Sequence, residues 1–128
     1  MRRVGVCSWS LRPRDPDDLV RALRAVGTSY VQLALDPLRD GRWDARETLR
    51  ALGRAGVTVL SGMMGTAGED YATIQAIRAT GGLRPDATFA ANLAAARANA
   101  ELAERLSIPL VTFHAGFLPR DARSPEHA

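Results

Sequence analysis

Four short apolar runs recur along the 128 residues: VGVC at 4–7, YVQLAL at 30–35, VTVL at 57–60 and LVTF at 110–113. None alternates strictly between apolar and polar, and helix-forming segments lie between them. That is the pattern of parallel strands covered on both faces, because parallel neighbours need a crossover between them. Right-handed crossovers place the helices outside the sheet, so the sequence predicts an α/β fold.

The helices carry their own punctuation. Asp15 caps the first, with Pro16 at its first position and Asp18 near its positive end. Leu19, Leu23 and Val26 give it an apolar face, and Gly27 ends it. Asp44-Ala45-Arg46-Glu47 resembles a capping box and opens a second helix, with Leu49 and Leu52 inward and Gly56 at its end. The helix-glycine-strand join thus occurs twice, as a regular βα repeat would require. Residues 8–14 read as a loop.

After the third run comes an insertion, 62–85, with glycine-rich hinges at 65–68 and 81–82. A short helix at 71–78 lies between them, its apolar side made by Ile74 and Ile77. Residues 65–85 are therefore a candidate lid over a binding site. A static covering loop is the other reading. A long helix is expected over 88–106, presenting Phe89, Leu93, Ala96, Ala100 and Ala103.

Four βα units need about 125 residues if an eight-unit barrel takes roughly 250. The expectation is the first four strands of a (β/α)8 TIM-type barrel, with 1–128 a single partial domain. A four-stranded flavodoxin-like sheet is the alternative, although residues 8–11 (SWSL) carry no glycine-rich phosphate fingerprint. Ser124-Pro125-Glu126 reads as the start of another helix, so a chain cut from a longer barrel is expected. Four strands left open would expose both sheet edges, and a homo-oligomer formed through them is a further expectation.

Composition narrows the function classes. No apolar run approaches the roughly 18 residues of a membrane span, and 4–7 is too short for a secretory core, so a cytoplasmic protein is expected. One cysteine, Cys7, allows no internal disulfide and reads as a small buried hydrophobe. All seventeen basic residues are arginine, yet the formal net charge is only +3. They are scattered over helices, which does not favour a nucleic-acid partner.

Barrel enzymes build their sites at the carboxyl ends of the strands. Those positions hold Cys7, Ser8 and Trp9, then Gln32, Leu35 and Asp36, then 61–64 (SGMM), and finally His114. His114 can ligate a metal, or donate to a hydroxyl or phosphate. Trp9 can wall a sugar ring, and equally can pack the barrel mouth. Asp36, before Pro37, can orient a hydroxyl or simply shape a turn. Met63 and Met64 are adaptable lining, in core or pocket. His127 carries no argument. No nucleophile elbow, paired carboxylate or cluster with metal-ligand spacing is present.

The segments VGVCSWSL, YVQLALDPL, VTVLSGMMGTAGEDYATI and ANLAAARANAELAERLSIPLVTFHAGFLP together resemble the sugar phosphate isomerase/epimerase family of the xylose-isomerase-like TIM-barrel superfamily. The resemblance covers nearly all of this chain and the N-terminal half of the family's barrel. It implies an isomerase or epimerase acting on a small sugar, sugar phosphate or polyol. It also implies a divalent metal ion and a proton-moving carboxylate, both supplied by later strands. Catalytic residues are then expected outside this chain. The carry-over is substrate binding by Trp9, Gln32, Asp36, Met63 and His114, with His114 at most a single metal ligand. The superfamily's abasic-site endonucleases need histidines on strands three and four, and only His114 matches.

Overall fold

A computed structural model of the chain describes residues 3–117. The elements in order are β1 (Val6–Cys7), α1 (Ser8–Leu11), α2 (Pro16–Ala25), β2 (Tyr30–Ala34), α3 (Asp36–Arg39), α4 (Ala45–Arg54), β3 (Thr58–Met63), α5 (Ile74–Thr80), α6 (Asp86–Arg105) and β4 (Val111–Thr112). The helix start expected at Ser124 and the histidine His127 lie outside the described residues. The four strands form one parallel sheet in the order β1-β2-β3-β4. A flavodoxin-like sheet reverses direction after its first strand, whereas a barrel lays each strand beside the last. The sequential order removes the flavodoxin-like alternative.

The chain divides into two compact units. One runs to Met64 and resumes over Ala96–Thr112; the other comprises Gly65–Ala95 and the residues from Phe113 on.

In the first unit the helix signals act as local chemistry says they should. The Asp15 carboxylate accepts the Asp18 N–H at 2.7 Å, and Asp44 accepts that of Glu47 at 2.7 Å. The return arm of the expected capping box is absent, because the Glu47 side chain pairs with Arg54 at 2.7 Å and Arg50 at 3.5 Å. Leu19 and Leu23 are buried as expected. Val26 is 55% exposed, since α2 ends at Ala25 and the chain has already begun to turn, and Val20 is buried in its place.

The helix-to-strand join occurs three times. Thr28 N donates to Leu23 O at 3.1 Å, Val57 N to Leu52 O at 2.9 Å, and Ile108 N to Ala103 O at 2.9 Å. The residue before each donor is left-handed: Gly27 at φ 71°, Gly56 at φ 72° and Ser107 at φ 55°. The third join hides in the sequence because a serine adopts the conformation that glycine takes at the other two.

Two expectations about the strands change. The sheet is not apolar on both faces. Val6, Val31, Leu33, Val59 and Val111 pack toward a core of Leu19, Leu23, Leu38, Leu52, Leu102 and Ile108. The other face carries Cys7, Gln32, Ser61, Met63 and Thr112, paired in register as Cys7 with Gln32, Gln32 with Ser61, and Met63 with Thr112. Its centre is a polar row, with Gln32 Nε2 donating to Ser61 Oγ at 3.2 Å and to Thr112 Oγ1 at 3.0 Å. β3 also runs on to Met63, placing Ser61, Gly62 and Met63 inside the strand and not beyond it. Gly62 fits there because a Cβ would lie 2.5 Å from Leu35 Cδ1.

Residues 8–11 form a helical turn where a loop was expected. Ser8 is buried and its Oγ accepts the Ala34 N–H at 2.9 Å, which pins the start of the turn.

The second unit departs further from expectation. α5 begins three residues late because Asp70 Oδ1 accepts the Ala72 N–H at 2.8 Å and holds a turn there. Ile74 is 73% exposed, and no residue of α5 is buried. The buried stripe of α6 is also rotated from the one expected. Asn92 lies on it in this unit; Asn99, Leu102 and Ala103 lie on it in the first unit, while Phe89 and Ala100 are exposed. Two asparagines on the inner stripe are invisible to a search for apolar spacing.

Candidate functional site

Two groups of side chains carry chemistry, one in each unit. In the first unit a cleft of about 220 Å³ opens beyond the carboxyl ends of β1 and β2. Its walls are Trp9 and Trp43, with Asp36, Arg12 and Arg42 at its polar positions and Ser8 and Ala34 among its lining. α1 presents Trp9 directly after β1, and α3 presents Asp36 directly after β2. Trp43 is fixed at both ends: its backbone N–H donates to Pro37 O at 3.0 Å and its indole Nε1–H to Arg14 O at 3.2 Å.

The charges here are arranged in relay. Asp36 Oδ1 accepts from Arg39 Nη1 at 2.9 Å, Arg39 Nε donates to Asp40 at 2.9 Å, and Arg42 reaches Asp40 at 3.4 Å. Arg12 ends α1 in a left-handed conformation, φ 48° and ψ 48°, its N–H donating to Trp9 O at 3.1 Å. A non-glycine residue held there costs of order 1–3 kcal/mol, and such residues cluster at functional sites.

Of the residues singled out in the sequence, Trp9 and Asp36 line this cleft together. Gln32 and Met63 do not line it; they stand on the polar face of the sheet. Both amide hydrogens of Gln32 are committed to Ser61 and Thr112, and Met63 Sδ lies 4.0 Å from Cys7 Sγ. Cys7 is half-buried, less enclosed than a core hydrophobe.

His114 belongs to the second unit, two residues past β4, and meets Glu69 with Nδ1 3.3 Å from Oε1. Glu69 is heavily solvated by protein. Its Oε1 also accepts from Thr66 Oγ1 at 2.6 Å and from Gly82 N at 2.9 Å, and Oε2 accepts from Tyr71 Oη at 3.0 Å. Burial alone pushes this carboxyl up, but the donors from Thr66, Gly82, Tyr71 and His114 together outweigh it and hold it below the usual carboxylate range. The same bond raises the Tyr71 phenol, since a carboxylate resists a second negative charge beside it.

The His114 ring has an aromatic neighbour, and the residue's backbone is paired. Phe117 meets it edge-on at 5.3 Å between centroids, and Gly81 leaves room for Cε1, which a Cβ there would approach to 3.0 Å. Leu83 N–H donates to His114 O at 3.0 Å and Arg84 N–H to Ala115 O at 3.1 Å.

Sequence reasoning missed Trp43, Arg12, Arg42 and Glu69. Trp43 left one signal, a large aromatic within the turn-forming stretch DGRWD. Glu69 left none, because a carboxylate after glycines reads as a solvated loop.

Among the described residues no group of three or more His, Cys, Asp or Glu side chains is placed to hold a metal ion. None of their helices is long and apolar enough to cross a membrane.

No family model matches the chain, and no curated protein matches it. Among solved structures it is similar to the crystal structure of a xylose isomerase domain protein from Planctomyces limnophilus, with a TM-score of 0.76 and 24% sequence identity. The match covers 97% of this chain and 44% of that one, so the chain spans less than half the length of its structural relative. The likeness establishes the fold, four parallel strands in sequential order with the helices that connect them, corresponding to about half of a TIM-type barrel.

Proposed function

From this half-barrel fold we propose that the chain forms part of the substrate wall of a sugar isomerase or epimerase, and that the Trp9–Trp43 cleft binds a sugar or related polyol. The observation that carries the reading is the meeting of both tryptophans of the chain with Asp36, Arg12 and Arg42 beyond β1 and β2. Barrel enzymes bind their substrates at that end of the strands. An indole face packs against the C–H surface of a sugar ring, and the Nε1–H bond to Arg14 O holds the Trp43 ring in place for it. Asp36 accepts from hydroxyls, while the two guanidinium groups donate to hydroxyls or to a phosphate. At about 220 Å³ the cleft has room for a small ligand of monosaccharide scale.

The metal expected for a complete barrel finds no home among the described residues. Glu69 and His114 supply two donors, and Glu69 already accepts from Thr66, Gly82 and Tyr71. No step is therefore assigned through a metal here. Titration calorimetry with Zn²⁺ or Mg²⁺ is expected to show weak binding; stoichiometric sub-micromolar binding would contradict this.

The test of the cleft is tryptophan fluorescence excited beyond the tyrosine absorption band, which in this chain reports on Trp9 and Trp43 alone. A monosaccharide is expected to change the emission saturably, and Trp9→Ala and Asp36→Asn are expected each to weaken binding at least tenfold. A chain whose fluorescence ignores every aldose, ketose and sugar phosphate does not bind as proposed.

One observation favours a second reading, an assembly module. Among the described residues β1 pairs only with β2 and β4 only with β3, leaving each a free edge. Light scattering that finds a monodisperse monomer at high concentration would remove that reading.

A further inference from the structure

We propose that His114 is a proton-transfer group whose Nε2 is kept as the acceptor by Glu69, the positioning residue. Glu69 is held ionised by its donors, and an ionised carboxylate can only accept hydrogen bonds. The nitrogen facing it, Nδ1, therefore carries the hydrogen in the neutral ring. This leaves Nε2 with its lone pair in the ring plane and no proton. The histidine side chain is 39% exposed, whereas Glu69 is 15% exposed, so the ring is the more accessible partner of the pair.

The arrangement is more than a chance contact. Thr66, Tyr71 and Gly82 hold the carboxylate, Phe117 meets the imidazole edge-on, and the Leu83 N–H holds the His114 backbone carbonyl. A base oriented by a third group is the recurring geometry of activated proton acceptors. In this tautomer the ring meets a ligand as an acceptor. Its one donor is spent on Glu69.

The proton donor is assigned as a hydroxyl of a small polyol, the ligand class of the proposed function, while the dyad itself lies wholly within the second unit. The hydroxyl proton passes to Nε2 while the oxygen keeps the bonding electron pair. The resulting imidazolium faces Glu69 through Nδ1–H as an ion pair, and return of the proton restores both groups.

Long-range ¹H–¹⁵N correlation of the labelled full chain tests the assignment without any ligand. Neutral His114 is expected as the Nδ1–H tautomer, and Glu69→Ala is expected to shift it toward Nε2–H. Diethyl pyrocarbonate supplies the reactivity arm, since it acylates an unprotonated ring nitrogen. His114 is expected to react several-fold faster in the wild-type chain than in Glu69→Ala, read by peptide mass. If the variant does not fold, the wild-type tautomer decides. An Nε2–H ring in the wild-type chain, or equal acylation rates with and without Glu69, would overturn the proposal. A chain that binds no sugar but shows the Nδ1–H tautomer defeats the cleft reading and leaves the dyad standing.

Discussion

The two units are held together by different means. The first is organised by apolar side chains: Leu19, Leu23, Leu33 and Leu52 are almost wholly buried between sheet and helices. The second is organised by two polar side chains. Asn92, 1% exposed, accepts the Ala67 N–H at 2.7 Å and donates to Ala67 O and Gly82 O, while Glu69 gathers Thr66, Tyr71, Gly82 and His114. Its large apolar residues Tyr71, Ile74 and Phe89 stand exposed at 71%, 73% and 44%. Non-directional burial tolerates rearrangement, whereas a polar hub depends on every partner being in place. The first unit should therefore lose stability in proportion to apolar volume removed, and the second should fail locally when one polar atom is lost.

The largest effect is expected from Leu23→Ala, which deletes a fully buried side chain and should cost about 2–5 kcal/mol by chemical denaturation. A loss below 1 kcal/mol would mean the first unit is not apolar-held. Gly82→Ala comes next. Gly82 sits at φ 82° with the Gly116 backbone where a Cβ would go, and left-handed strain alone costs about 1–3 kcal/mol. Asn92→Ala should cost about 1–3 kcal/mol by leaving buried backbone groups unpaired. In native-state hydrogen exchange its damage should appear at Ala67 and Gly82 before Leu23 or Leu33; uniform loss would merge the two units into one.

Acid separates them further. Glu69 has its folded carboxyl below the ordinary value, so its contribution is complete above the unfolded chain's carboxylate range. That contribution is lost as pH falls through the range toward the lower folded value. Below about pH 4.3, the ordinary glutamate value, the Tyr71 and His114 resonances should broaden before those of the leucine core. The smallest effect is a gain: Ser107→Gly should stabilise the first unit by about 0.5–1 kcal/mol, because it removes left-handed strain at the third join.

The same contrast explains what the sequence disclosed. Strand positions, the caps at Asp15 and Asp44, and the joins at Gly27 and Gly56 were legible because each depends on neighbours in sequence. Trp9 and Asp36 were legible as strand-end residues once a barrel was inferred. Trp43 was not, because a loop residue's approach to Trp9 is set by tertiary packing. Glu69 and Asn92 were not, because their partners lie as far as 45 and 25 residues away and neither carries a periodic signal.

The cleft is the centre of the account, and ¹H–¹⁵N chemical-shift mapping with a monosaccharide panel tests it most directly. Sugar addition should move the Trp9 and Trp43 indole Nε1–H signals together with the amides of Ser8, Arg12 and Asp36, saturating at one ligand per chain. Shifts confined to other residues, or none at millimolar sugar, would contradict the assignment of this cleft as the substrate wall.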